Sequence, residues 1–170
     1  MDRFEVIFQA LNAANVRYVV VGGVAVNLHG HARFTKDLDL VVELAPDEAR
    51  KTIDALSELG YRPTIPVAAA DFADPMHRER WADDKHMIVF QLYHEAHRMT
   101  VDLFIRYPID FEPLWEAASE TVLTRTTIRV ASLDHLIQMK RDAGRPQDMI
   151  DVKWLEIIQE MKRDASRNAS

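Results

Sequence analysis

Residues Val19–Glu43, VVVGGVAVNLHGHARFTKDLDLVVE, decide how this chain is read. An apolar run ends in Gly22-Gly23. A short helical stretch and a basic Arg33-x-Thr35 connector follow, and a second apolar run then carries Asp37-x-Asp39. Side chains two residues apart in a strand share a face, so Asp37 and Asp39 project side by side. Two carboxylates that close repel each other unless a cation lies between them. The chain has no cysteine and no suitably placed histidine, so these hard oxygens suit Mg²⁺ rather than zinc. The Gly-Gly turn offers backbone N–H groups to an anionic phosphate at a helix start. A phosphate cradle beside Mg²⁺-binding carboxylates points to phosphoryl or nucleotidyl transfer.

The flanking sequence supplies a frame for these two strands. Phe4, Ile7, Phe8 and Leu11 recur at helical spacing and predict an amphipathic helix over Arg3–Ala14. Val16–Val21 is β-branched and uninterrupted, as a buried strand should be. After the second strand, Asp37–Glu43, Pro46 opens a helix with Asp47 and Glu48 at its positive end, and Gly60 ends it. Strand–helix–strand–helix is the opening of an α/β or α+β fold. Three prolines and an alanine run in Tyr61–Asp84 predict a loop with short helices over the site. His86–Tyr93 and Met99–Arg106 read as two strands, Phe111–Ala118 as a helix, and Thr121–Thr124 with Thr127–Ala131 as a hairpin. Ser132 caps a helix running to about Ala143. A last helix covers Pro146–Met161 and buries Ile150, Trp154, Ile157 and Met161 on one face, with Asp164–Ser170 fraying beyond it.

Composition excludes several classes. The 170 residues, 48% hydrophobic and 28% charged, suit one folded domain with a proper core rather than a disordered chain. The expected layout is a single domain over residues 1–170, with a core to about 131 and a helical part over about 132–163. No apolar run approaches the roughly 20 residues of a membrane span. MDRFEVIF contains no export signal, so a cytoplasmic protein is expected. Without cysteine there is no disulfide, thiol catalysis or thiolate zinc. A net charge of −6 argues against nonspecific duplex binding, though not against a nucleic acid touched at one end. His94-Glu95-Ala96-His97 lacks the four-residue histidine spacing of the metalloprotease helix. Trp81, Trp115 and Trp154 are scattered as core residues would be.

The Gly-Gly and Asp-x-Asp elements together resemble the signature of the polymerase-beta-like nucleotidyltransferase superfamily. There a Gly-Gly or Gly-Ser turn precedes Asp-x-Asp by about ten residues, a spacing motif of the kind that carries mechanism. Here thirteen residues, Val24 to Lys36, intervene. His29-Gly30-x-x-Arg33-x-Thr35-x-Asp37-x-Asp39 is most similar to small bacterial nucleotidyltransferases of the AbiEii type and other minimal members. So is the distal Lys140-Arg141-x-x-Gly144-Arg145-Pro146-x-Asp148-x-x-Asp151. The resemblance implies an α+β fold with an α/β-like start: a small mixed sheet flanked by helices, with C-terminal helices closing the site.

It also implies a third carboxylate on a later strand, for which Asp102 in MTVDLFI is the candidate; the alternative is a surface acid paired with Arg98 or Arg106. Asp110 and Asp83-Asp84 lie in loop-like sequence and fit less well. The implied enzyme moves a nucleoside monophosphate from an NTP to a hydroxyl or phosphate of RNA, protein or a small molecule. Asp37, Asp39 and Asp102 would be both catalytic and metal-binding, holding two Mg²⁺ ions, with Mn²⁺ as the alternative. Gly22, Gly23, Arg33, Thr35, Lys140, Arg145 and Asp148 would bind nucleotide, and Asp151 would help to order the site. This chain lacks the serine that often follows the first glycine, so backbone N–H groups would carry that part of the phosphate contact. A toxin–antitoxin role with an antitoxin partner, an aminoglycoside-modifying activity and a non-catalytic nucleotide-binding module are the rival expectations.

Overall fold

The apolar runs flanking the Gly-Gly turn become neighbouring central strands of a mixed sheet. A computed structural model describes residues 2–168, with side chains from Phe4 onward. The elements in chain order are α1 (Asp2–Ala13), β1 (Tyr18–Val21), α2 (Gly22–Leu28), β2 (Asp37–Val42) and α3 (Pro46–Glu58). They continue with β3 (Arg62–Pro63), a 3₁₀ turn (Ala69–Ala73), α4 (Pro75–Lys85), β4 (Val89–His94) and β5 (Met99–Phe104). Last come α5 (Phe111–Ala117), β6 (Ser119–Val122), β7 (Thr127–Val130), α6 (Leu133–Ala143) and α7 (Pro146–Asn168).

The sheet order is β3-β4-β5-β2-β1-β7-β6. β1 pairs antiparallel with β2 although α2 lies between them, so the α/β-like opening does not build a parallel β-α-β unit. β2–β5 and β1–β7 are parallel, and the outer pairs are antiparallel. The architecture is α+β. All four residues of β1 are buried, as its unbroken β-branched sequence requires. β2 is exposed at Asp37 and fully buried over Leu40–Val42, so one short strand joins the core to the surface. Each large side chain in this core contributes about 1.5–3 kcal/mol relative to exposure.

The structure departs from the sequence pattern in two places. Tyr61–Asp84 is more regular than its prolines suggest: Pro75 sits in the first turn of an 11-residue helix and Asp74 accepts the Met76 N–H at 2.8 Å. Proline there starts a helix rather than breaking one. The segment packs on α3, with Phe72 and Trp81 stacked on Phe90, and none of its residues lines the cleft described below. Helix α7 is rotated from its predicted orientation and extends to Asn168, so the described part of Asp164–Ser170 is helical. Its buried residues are Asp148, Asp151, Val152 and Leu155, whereas Ile150, Trp154, Ile157 and Met161 are exposed. Ion pairs of Asp148 and Asp151 with Lys140 and Arg33 join Val152 and Leu155 in burying that face. Trp154 is thus a surface residue, while Trp81 lies in the core.

Candidate active site

Gly22 opens α2 with φ +63°, and a Cβ built on it would lie 1.9 Å from Asp39 Oδ2. Glycine is required there twice over, by the left-handed backbone and by the approach of the carboxylate. Gly23 is crowded in the same way, since its Cβ would meet Thr35 Oγ1 at 2.7 Å and Arg33 Nη2 at 2.9 Å. The connector that brings these side chains back is held by Asn27. Its amide donates to the Arg33 carbonyl at 2.8 Å and accepts the Arg33 N–H at 3.0 Å. Thr35 Oγ1 then donates to the Asp37 carbonyl at 3.3 Å.

The parallel β2–β5 register sets Asp39 beside Asp102 and Asp37 beside Thr100. Gln91 is the neighbour of Asp102 across the β4–β5 ladder and donates to its Oδ1 at 3.1 Å. Gln91, Asp102 and Asp39 therefore form one transverse row, with Asp37 one step along the same face. Burial and then the charge of Asp102 push the Asp39 pKa up to about 6, Asp37 adding to them against Lys140 and the Gly23 amide. Burial also raises the Asp102 pKa; the Gln91 hydrogen bond opposes this and the charge of Asp37 reinforces it. Neither Arg98 nor Arg106 pairs with Asp102, because Arg106 is held by Glu79 and Asp83. Asp83 is thereby accounted for as a surface ion-pair partner.

The opposite wall comes from α6 and α7. Lys140 Nζ lies 2.8 Å from Asp148 Oδ1 and 2.9 Å from Asp151 Oδ2. Arg33 Nη2 donates to Asp151 Oδ2 at 3.0 Å, and Arg145 Nε to Asp148 Oδ2 at 2.6 Å. Burial works to raise the Asp148 pKa, but hydrogen bonds from Arg145 and Lys140 outweigh it and hold it below the ordinary range. The ammonium of Lys140 is thus part of a buried lattice, its side chain 7% exposed, whereas that of Arg145 is 73% exposed. Arg145 is the cation freer to turn toward a ligand.

Gly22, Gly23, Arg33, Thr35, Asp37, Asp39, Asp102, Lys140, Arg145 and Asp148 all line one cleft of about 690 Å³. Ile88, Val89, Phe104, Pro108, Leu136 and Met139 give it an apolar side. Sequence reasoning passed over Asn27 and Gln91, whose roles depend on tertiary neighbours. It named Asp151 without foreseeing that this residue joins Arg33 to Lys140.

The donor set suits a hard divalent cation: oxygen ligands only, on one face, with Asp39 and Asp102 each held against ionisation by burial and by a neighbouring acid. Among the described residues, no group of three or more His, Asp or Glu side chains is placed to hold a metal ion on its own. Mg²⁺ rarely uses an all-protein cage, since it keeps waters and completes its shell with substrate phosphates. The carboxylates that would hold it are Asp37, Asp39 and Asp102.

A glycine turn pressed against a strand carboxylate, with another acid in register on the next strand, is the arrangement expected of a nucleotidyltransferase. The sequence profile described as "Nucleotidyl transferase AbiEii toxin, Type IV TA system" matches residues 6–168, and the chain belongs to that family. No curated protein sequence matches it. Among solved structures, the lincomycin-bound lincosamide antibiotic adenylyltransferase LnuA aligns with TM-score 0.63 at 19% identity, covering 92% of this chain and 96% of its own. ANT(2")-Ia in complex with adenylyl-2"-tobramycin aligns with TM-score 0.57 at 14% identity, covering 97% of each chain. An antigenic nucleotidyltransferase-like protein from Paracoccidioides brasiliensis gives 0.50 at 16% identity, covering 89% of this chain and 73% of its own. At these identities the likeness is one of fold. No helix among the described residues is long and apolar enough to cross a membrane.

Proposed function

We propose that this nucleotidyltransferase is Mg²⁺-dependent and transfers a nucleoside monophosphate from an NTP to an acceptor oxygen through Asp37, Asp39 and Asp102. The observation that carries this reading is the register of Asp39 beside Asp102, next to the Gly22 turn. The acceptor oxygen attacks the α-phosphorus, the bond to the departing pyrophosphate breaks, and the acceptor proton passes to Asp102. A carboxylate whose pKa is raised is the better proton acceptor. Bound Mg²⁺ would polarise the α-phosphate and neutralise the charge that builds on the pyrophosphate. Gly22 would present its backbone N–H to the triphosphate while the Gly23 N–H steadies Asp39, with Arg145 reaching for the far end of the triphosphate and Arg33 and Thr35 fixing the connector. Lys140 and Asp148 would hold that wall in place. Most of the gain would come from positioning and charge stabilisation.

The acceptor is RNA, a protein or a small molecule. The family description supports a toxin–antitoxin setting with an antitoxin partner. A small neutral acceptor has a specific observation in its favour: Ile88, Val89, Phe104 and Pro108 give the cleft an apolar side. The test is incubation with each α-labelled NTP, Mg²⁺ and fractionated cell extract. Label on one fraction, lost in EDTA, supports the reading and names the acceptor class. No Mg²⁺-dependent incorporation or pyrophosphate release with any NTP overturns it.

A further inference from the structure

The outward face of α7 carries an apolar stripe that the fold leaves uncovered. Ile150, Trp154, Ile157 and Met161 are 48%, 48%, 45% and 66% exposed. Their four-three-four spacing is the d-a-d-a seam of a coiled coil, narrower than the face of a helix lying on a sheet. The opposite face of α7 is buried in the protein's own interior. On one flank Glu156 and Gln159 bond to Arg141 and Asp134 of α6. On the other, Trp154 stacks on His31 with ring centroids 5.1 Å apart. Beside the seam, at its g positions, lie Lys153 and Glu160. Both are exposed, and neither has an ion-pair partner among the described residues.

We propose that this stripe is a self-association surface whose occupant is α7 of a second copy, running antiparallel. The choice of occupant follows from charge complementarity. When the seams pack antiparallel, with Trp154 on Ile157 of the second copy and Ile150 on its Met161, g positions face g positions. Lys153 then meets Glu160 of the second copy, and two-fold symmetry makes the contact twice. In a parallel pair the g-to-e neighbours would be Lys153 with Ile158 and Glu160 with Ala165, which leaves both charges unmatched. The seam offers these four apolar side chains per copy, short of the roughly 20–30 residues a side of a standard interface, so the dimer is a reversible one.

Sedimentation velocity on the full chain, at low salt over about 5–500 µM, tests this, since a reversible dimer shows itself by concentration dependence. The wild type should rise from 19.6 kDa toward twice that mass. Lys153→Glu or Glu160→Lys alone should weaken dimerisation about tenfold by placing like charges opposite each other twice. The Lys153→Glu/Glu160→Lys double variant should restore it to within about threefold, as a coupled pair does. Ile157→Lys, at an exposed position, should stay monomeric with an unchanged thermal melt. A wild type that remains monomeric throughout, including one whose stripe docks a different protein, overturns the proposal. So does a dimer that survives Ile157→Lys, or a double charge reversal that fails to restore pairing.

Discussion

Asp39 and Asp102 are direct neighbours across the parallel β2–β5 ladder, although 62 positions separate them in sequence. The pairing creates the electrostatic problem that a cation would solve. The backbone of Gly22 closes one side of it and the Gln91 amide the other, so the two acids have little freedom to move apart.

Gly22→Ala should damage the site more than its size suggests. The new Cβ would need space that Asp39 Oδ2 holds, on a backbone with φ +63°. A loss of about 1–3 kcal/mol in stability and at least tenfold in turnover is expected. Chemical denaturation and pyrophosphate release measure the two. A variant with normal turnover would mean that the Gly22–Asp39 approach is not needed for activity.

The metal-free protein should be stabilised by Asp39→Asn at neutral pH. Folding raises this pKa from 3.8 to about 6, so it favours the protonated form. Below about pH 3.8 the protonated carboxyl imposes no penalty; the penalty grows as pH rises through about 6 and is complete above it. At pH 8 in EDTA the variant should gain up to about 3 kcal/mol and lose the share of the pH dependence between about 4 and 7 that Asp39 contributes. Urea melts at pH 5 and pH 8 check this, and an Asn variant weaker than wild type at pH 8 would contradict it.

Asp151→Asn should be the most destabilising single change in the α6–α7 wall. It removes a buried charge that serves both Lys140 and Arg33, leaving Lys140 with Asp148 alone. Breaking a buried pair by removing one partner costs about 3–5 kcal/mol. Nucleotide affinity should fall with it as the Arg33 connector loosens. Thermal melts and nucleotide titration of the same preparation check both parts.

Much of this was legible in the sequence, and the failures share a cause. Asp37, Asp39 and the Gly-Gly turn could be placed because their relation is local, two residues or one turn apart. Asp102 was found from its apolar strand, but its register against Asp39 depends on a pairing between distant segments. Hydrophobic periodicity chose the wrong face of α7: it scores Ile150, Trp154, Ile157 and Met161 as buried, and it gives no sign that Asp148 and Asp151 are. An acid enters the interior when Lys140 or Arg33 comes to meet it, and that meeting is tertiary. The loop and short helices expected over Tyr61–Asp84 left the start at Pro75 unplaced for a simpler reason, since proline both ends helices and begins them.

Asp102→Asn separates the mechanism from a structural role more directly than any other change. Wild type and variant would be compared by NTP affinity with Mg²⁺ and by single-turnover rate once an acceptor is in hand. With Asp37, Asp39 and the phosphate contacts intact, affinity should stay within a few-fold. The chemical step should slow by at least about 10²-fold, because the attacking oxygen loses its proton acceptor, and higher pH should recover part of the loss. An unimpaired single-turnover rate would contradict the account and leave Asp102 as a strand residue held by Gln91.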